Sequence, residues 1–219
     1  MATRGRSSQI PCAFAPYLPP PPRLVNTPGL PGVFTKRGSG SATKGCGIGE
    51  WGLRLCNQTL HKELTVEYGT IEREIQIDAS PEVVFEVVSQ PEHVREWWSD
   101  EATFGPNPGD PGELRFHSPD DESVKVAPFT VVKSEPPTLF SFRWIHHPGE
   151  VAKLGNSLLV TFELEPTETG TLVKMTESGF REMGWEVAVL EATYNDHIHG
   201  WNYFIPRLGD YAAKQATRA

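Results

Sequence analysis

Residues 186–214, EVAVLEATYNDHIHGWNYFIPRLGDYAAK, set apolar side chains at Leu190, Tyr194, Ile198, Trp201, Ile205, Leu208 and Ala212. Steps of four and three are the repeat of one face of an α-helix. Glu191, Asn195, Asp196, Arg207, Asp210 and Lys214 fall mostly off that face. A helix this long, with one apolar stripe, draws most of its stability from what the stripe lies against. The rest of the chain must therefore supply a broad apolar surface for about eight turns of helix. Pro206 falls inside the stripe. A proline there removes one backbone hydrogen bond and crowds the preceding turn, so the helix is expected to kink or end nearby.

The residues upstream read mostly as strands. Residues 70–78 (TIEREIQID) alternate Ile71, Arg73, Ile75 and Ile77 with Glu72, Glu74 and Gln76, the pattern of a half-buried strand. Ser80 as N-cap, Pro81 at the first helical position and Glu82 in the first turn then open a helix. Val83, Val84, Val87 and Val88 form its apolar side. Gln90-Pro91-Glu92 repeats the start signal for a second short helix ending at Trp97-Trp98. Residues 101–104 suit a short strand, and 105–112 (GPNPGDPG) carry too many breakers to be anything but loop.

Strand-like runs follow at 113–117, 123–134, 138–146, 157–165 and 171–178. Turn signals separate them: Pro119-Asp120-Asp121, Pro136-Pro137, Pro148-Gly149 and Thr169-Gly170. Connections this short favour antiparallel neighbours. Pro128 interrupts the second run, so a bulge or a sheet edge is expected there. Strand, two short helices, about six strands and a long helix together imply an α+β fold, with the helix on one face of a curved antiparallel sheet.

The first 68 residues are of another kind. They hold Pro19 to Pro22 in a row, no acid before Glu50, and no sustained period of 2 or 3.6. Such a segment buries too little surface to repay its ordering entropy, so residues 1–68 are expected to be a disordered Pro/Gly-rich extension and 69–215 the folded domain. Arg and Ser without acids also resemble an organelle transit peptide, although the prolines oppose an amphipathic helix. The Gly45-Cys46-Gly47-Ile48-Gly49 run is GxGxG with no strand before it, not a nucleotide loop. Charge divides at the same place. Residues 1–68 carry eight Lys/Arg and three acids, net +5; residues 69–219 carry twelve and twenty-five, net −13. A body that acidic repels phosphate backbones, which argues against nucleic-acid binding. No apolar run approaches the ~20 residues of a membrane span. Cys12, Cys46 and Cys56 match no zinc or redox spacing and cannot all pair, as expected of free thiols in the cytoplasm.

From residue 70 to 214 the chain resembles the START-like, helix-grip (SRPBCC) superfamily. Within it, the similarity is to proteins like the C-terminal domain of the activator of the heat-shock protein 90 ATPase. The resemblance rests on IEREIQIDASPEVVFEVV, Trp97-Trp98, the run Leu139-Phe140-Ser141-Phe142-Arg143-Trp144, the pair VTFELEP and TLVKMTESGF, and Gly200-Trp201 followed by Leu208. It implies a β-α-α-β6-α order with a cavity between sheet and C-terminal helix. Residues 1–68 have no counterpart in it.

Period 2 puts Phe140, Phe142, Trp144 and His146 on one strand face, Leu158, Val160, Phe162 and Leu164 on the next, and Val173, Met175 and Glu177 on a third. Facing them from the helix are His197, Trp201, Ile205 and Leu208. Ordinary core packing explains any one of these. As a set they suit a largely apolar small-molecule pocket with few polar groups. The expected lining is Trp98, Phe140, Phe142, Trp144, Phe162, Met175, Glu177, His197, Trp201, Ile205 and Leu208. Neither His146-His147 nor His197/His199 can chelate alone, because their side chains diverge; a metal would need His146, His197 and an acid together, and no metal or cofactor is expected. GxSxG, HExxH, GxxxxGK[ST] and CxxC are absent, so nothing in the sequence argues for catalysis. The reading is a domain that binds a hydrophobic or amphipathic small molecule. The alternatives are a chaperone-ATPase-activator-like interaction domain, and a cyclase- or hydrolase-type enzyme using the same cavity.

Overall fold

The computed structural model describes residues 68–118 and 121–218. The expectations for the Pro/Gly-rich extension, its three cysteines and the Pro119-Asp120 turn lie outside the described residues. The elements run β1 (Ile71–Ile77), α1 (Pro81–Ser89), α2 (Pro91–Trp97), β2 (Glu101–Phe104), β3 (Pro111–His117), β4 (Val124–Glu135), β5 (Leu139–Trp144), β6 (Leu158–Thr167), β7 (Gly170–Ser178), a single 3-10 turn (Arg181–Met183) and α3 (Val187–Ala216). The α+β, β-α-α-β6-α order expected from the sequence is the one observed. All seven strands join one curved antiparallel sheet in the order β1-β7-β6-β5-β4-β3-β2.

Alternation decides which face is buried. On β1, Ile71 and Ile77 are buried while Glu72, Glu74 and Gln76 are exposed. On β6 and β7 every second residue is buried: Leu158, Val160, Phe162 and Leu164, then Thr171, Val173, Met175 and Glu177. These line the concave side, where α1, α2 and α3 lie. Ser80 occupies the N-cap of α1 and Pro81 the first helical position, but the Ser80 hydroxyl makes no capping bond to the helix backbone. The Glu82 carboxylate takes hydrogen bonds from its own backbone N–H and from the Ser80 hydroxyl, which hold it below the ordinary carboxylate range. Gly170 closes the β6–β7 turn at φ +149, where a Cβ would stand 2.1 Å from the Ile77 carbonyl oxygen, so only glycine fits there.

Three local expectations are corrected. α3 runs unbroken through Pro206 to Ala216, with Pro206 on its exposed side. Solvent can hydrate the carbonyl the proline leaves without an N–H, so the helix tolerates it. Pro128 is neither a bulge nor on an edge strand. It pairs in register with Glu113, just beyond the β4–β5 ladder that starts at Phe129, and the bulge falls between Val131 and Lys133. Finally, the alternation on β5 stops at Trp144. Ile145 has φ 57, is buried, and donates its N–H to the Pro128 carbonyl. A β-branched residue at positive φ is strained. It moves His146 off the face it would share with Trp144.

α3 lies asymmetrically in the sheet. Its backbone comes close to β1, α1 and α2. At Gly209 a Cβ would stand 2.7 Å from Ile75 Cδ1. Towards β5 and β6 the span is crossed by large side chains instead.

Candidate functional site

The interior between α3 and the middle of the sheet is aromatic. The Trp98 ring lies 5.2 Å from Trp201, 5.3 Å from Trp144 and 5.5 Å from Phe142, centre to centre. Phe162 meets the Trp201 ring edge-on at 6.2 Å. Phe140, Phe142, Phe129 and Phe104 continue the cluster towards β4 and β2. Trp97 packs behind Trp98 and donates its indole N–H to the Val87 carbonyl, tying α2 to α1.

At one end of this cluster sits a fully buried carboxylate. Glu177 on β7 has no solvent exposure, and neither does His197 on α3. Trp144 Nε1 donates to Glu177 Oε1 at 2.8 Å, and Trp201 Nε1 donates to Oε2 at 2.7 Å. His197 Nδ1 lies 3.0 and 2.9 Å from the two oxygens. Indole N–H groups can only donate, so both carboxylate oxygens act as acceptors, and Nδ1 adds a third donor. Register explains how the group forms. Glu177 pairs with Val160 on β6, Val160 pairs with Phe142 on β5, and Trp144 follows two residues on. His197 and Trp201 are one helical turn apart on α3. The node therefore joins β5, β7 and α3 through one carboxylate. A buried charge held by several donors is tolerated; one left alone is not.

All eleven residues expected to line the site are buried and on the concave side: Trp98, Phe140, Phe142, Trp144, Phe162, Met175, Glu177, His197, Trp201, Ile205 and Leu208. His146 does not join them. Its Nε2 lies 3.4 Å from Thr130 Oγ1, and Thr130 pairs with Arg143 on the outer face. The His146–His197 metal arrangement is thus not formed. Among the described residues, no group of three His, Cys, Asp or Glu side chains could hold a metal ion.

Besides Phe104 and Phe129, three residues of the interior were not singled out from the sequence. Phe180 is fully buried and caps the polar end, its ring 5.4 Å from His197 and 5.0 Å from Tyr194. Thr193 is 3% exposed and Ser99 is 3% exposed, and neither hydroxyl has a hydrogen-bond partner among the described residues. Thr193 lies off the apolar stripe, which in the sequence runs through Leu190, Tyr194 and Ile198. Those three are only half-buried, and the line that faces inward runs through Thr193, His197, Trp201, Ile205, Leu208 and Ala212. The i, i+4, i+8 spacing of Thr193, His197 and Trp201 was the available signal.

Comparison with known proteins places this geometry. Residues 78–213 match the family model described as Activator of Hsp90 ATPase homolog 1-like protein. Among solved structures, a Mesorhizobium loti protein is similar at 26% identity and a TM-score of 0.52, over 66% of this chain and 97% of that one. The Aha1 dimer from Colwellia psychrerythraea is similar at 23% identity and a TM-score of 0.50, over 66% and 96%. A Nitrosomonas europaea protein shares the fold at 12% identity and a TM-score of 0.56, over 68% and 96%. None of the curated proteins matches the chain.

Proposed function

The chain belongs to the family of Activator of Hsp90 ATPase homolog 1-like proteins, and from that premise we propose that its helix-grip domain binds an apolar or amphipathic small molecule between sheet and α3, without acting on it chemically. One observation carries this reading. Between α3 and strands β5 and β6 the interior is built of Trp98, Trp144, Phe162 and Trp201, whose rings meet one another rather than helix backbone, with a few polar groups converging at one end. An apolar surround with sparse, placed polar groups is how small-ligand sites are composed. The proposed contacts are the eleven lining residues named above, in a cytoplasmic protein whose folded domain spans 69–215. Catalysis is given no role. Glu177 and His197 are engaged with each other, and Glu177 with the two indoles. Thermal shift and native mass spectrometry against a library of apolar and amphipathic compounds test the reading. A stabilising compound is expected, and Leu208→Trp, which fills the interior from α3, should abolish its effect. A library in which nothing raises the melting temperature defeats the proposal.

A protein-partner role, of the kind the family description implies, is favoured by a separate observation. Val151, Leu154 and Val187 stand exposed on the loop after β5 and on the first residue of α3. Co-purification with a chaperone at native expression, lost on replacing these three by serine, is the expected result under that reading. A clean pull-down counts against it.

A further inference from the structure

The geometry points to Thr193 as the residue that selects the ligand, and to a neutral amphipath bearing a hydroxyl or carbonyl as the class selected. This rests on the small-molecule reading above and narrows it. Thr193 lies on the inward line of α3, one turn before His197 and two before Trp201, and is 3% exposed. A helical threonine commonly returns its hydroxyl to the carbonyl one turn back. Here Oγ1 makes no such bond and has no other partner among the described residues. A buried hydroxyl without a partner has lost its hydration and gained nothing in exchange. A ligand oxygen placed against it recovers that cost, and a ligand lacking one does not.

The charge of that oxygen is constrained by what surrounds it. The site already holds the Glu177 carboxylate, whose contacts are with two indoles and one imidazole. No described Lys or Arg is buried. The cations with inward strand register are held at the rim. Arg73 on the edge strand β1 donates to Asn202 Oδ1 of α3, and Lys125 is half-exposed at the β3–β4 hairpin beside Asp121. An anionic head group would lose its hydration, meet a second negative charge and find no buried counter-ion. A neutral hydroxyl or carbonyl meets none of these penalties, and its apolar body takes the aromatic wall.

The test uses the full chain and three probes of one shape: 2-naphthol, 2-naphthoate and 2-methylnaphthalene, compared by calorimetry at neutral pH. 2-Naphthol is expected to bind about tenfold more tightly than either of the others, the scale of one recovered buried hydrogen bond. Thr193→Val should erase that preference, and Thr193→Ser should keep it. If 2-naphthoate binds as well as 2-naphthol, or Thr193→Val keeps the preference, this inference is wrong while the small-molecule reading stands. If none of the three probes binds, this inference is wrong, and the small-molecule reading is decided separately by the library screen.

Discussion

Glu177 is the residue on which the interior turns. Its carboxylate reaches across from β7 to indoles on β5 and α3 and to an imidazole on α3. Glutamine in its place keeps the shape but presents an amide N–H₂ to one of those donors, leaving a donor facing a donor inside the protein. Glu177→Gln should therefore lower stability by about 2–4 kcal/mol, the range for breaking a buried, multiply bonded charge. Trp144→Phe and Trp201→Phe, which each remove one donor, should cost less, and the double variant should not cost their sum, because all three groups share one acceptor. Urea denaturation followed by far-UV circular dichroism measures each. A Glu177→Gln protein within about 0.5 kcal/mol of wild type, the usual range of a surface change, would show that the node is not holding helix to sheet. The residue types of this node were legible in the sequence: period 2 on β7 gave Glu177 its inward face, and helical spacing gave His197 and Trp201 theirs. Their convergence on one carboxylate was not, because it depends on cross-strand register and on where α3 crosses the sheet.

At the scale of elements, α3 shows where local rules yield to packing. Pro206 removes a helix hydrogen bond, yet the helix continues for ten residues to Ala216. Its exposed side carries the disruption while Ile205 and Leu208 stay buried. Pro206→Ala restores the N–H that the Asn202 carbonyl lacks. It should stabilise the protein by about 2–2.5 kcal/mol, the helix-interior penalty less the loss of proline's restraint on the unfolded chain. A raised melting temperature is the expected readout. An unchanged or lowered one would mean that the proline holds a bend the grip requires. The same lesson applies to β5. Alternation placed Phe140, Phe142 and Trp144 correctly, then failed at Ile145, whose positive φ is imposed by the junction with Pro128 rather than by its own preference.

At the scale of the molecule, the folded domain is one sheet closed over one helix. We expect a chain beginning at Tyr68 to unfold in a single cooperative transition, within about 2 °C of the full-length protein, since the described core draws on residues from Ile71 onward. Differential scanning calorimetry of both chains decides this. A truncated chain that melts broadly, or well below the parent, would move the domain boundary into residues 1–67.

The sequence by itself determined the element order, the concave face of the sheet and the family, because apolar period and capping chemistry act over a few residues. It also listed the residues of the interior, since burial follows alternation. Tertiary structure alone decided what those residues do to one another. It put Glu177 among three donors, turned His146 away to Thr130, and rotated the inward line of α3 onto Thr193. The first two outcomes depend on groups far apart in the chain meeting at hydrogen-bond distance, and for the third an apolar stripe on one helix cannot say which of its edges the partner will cover.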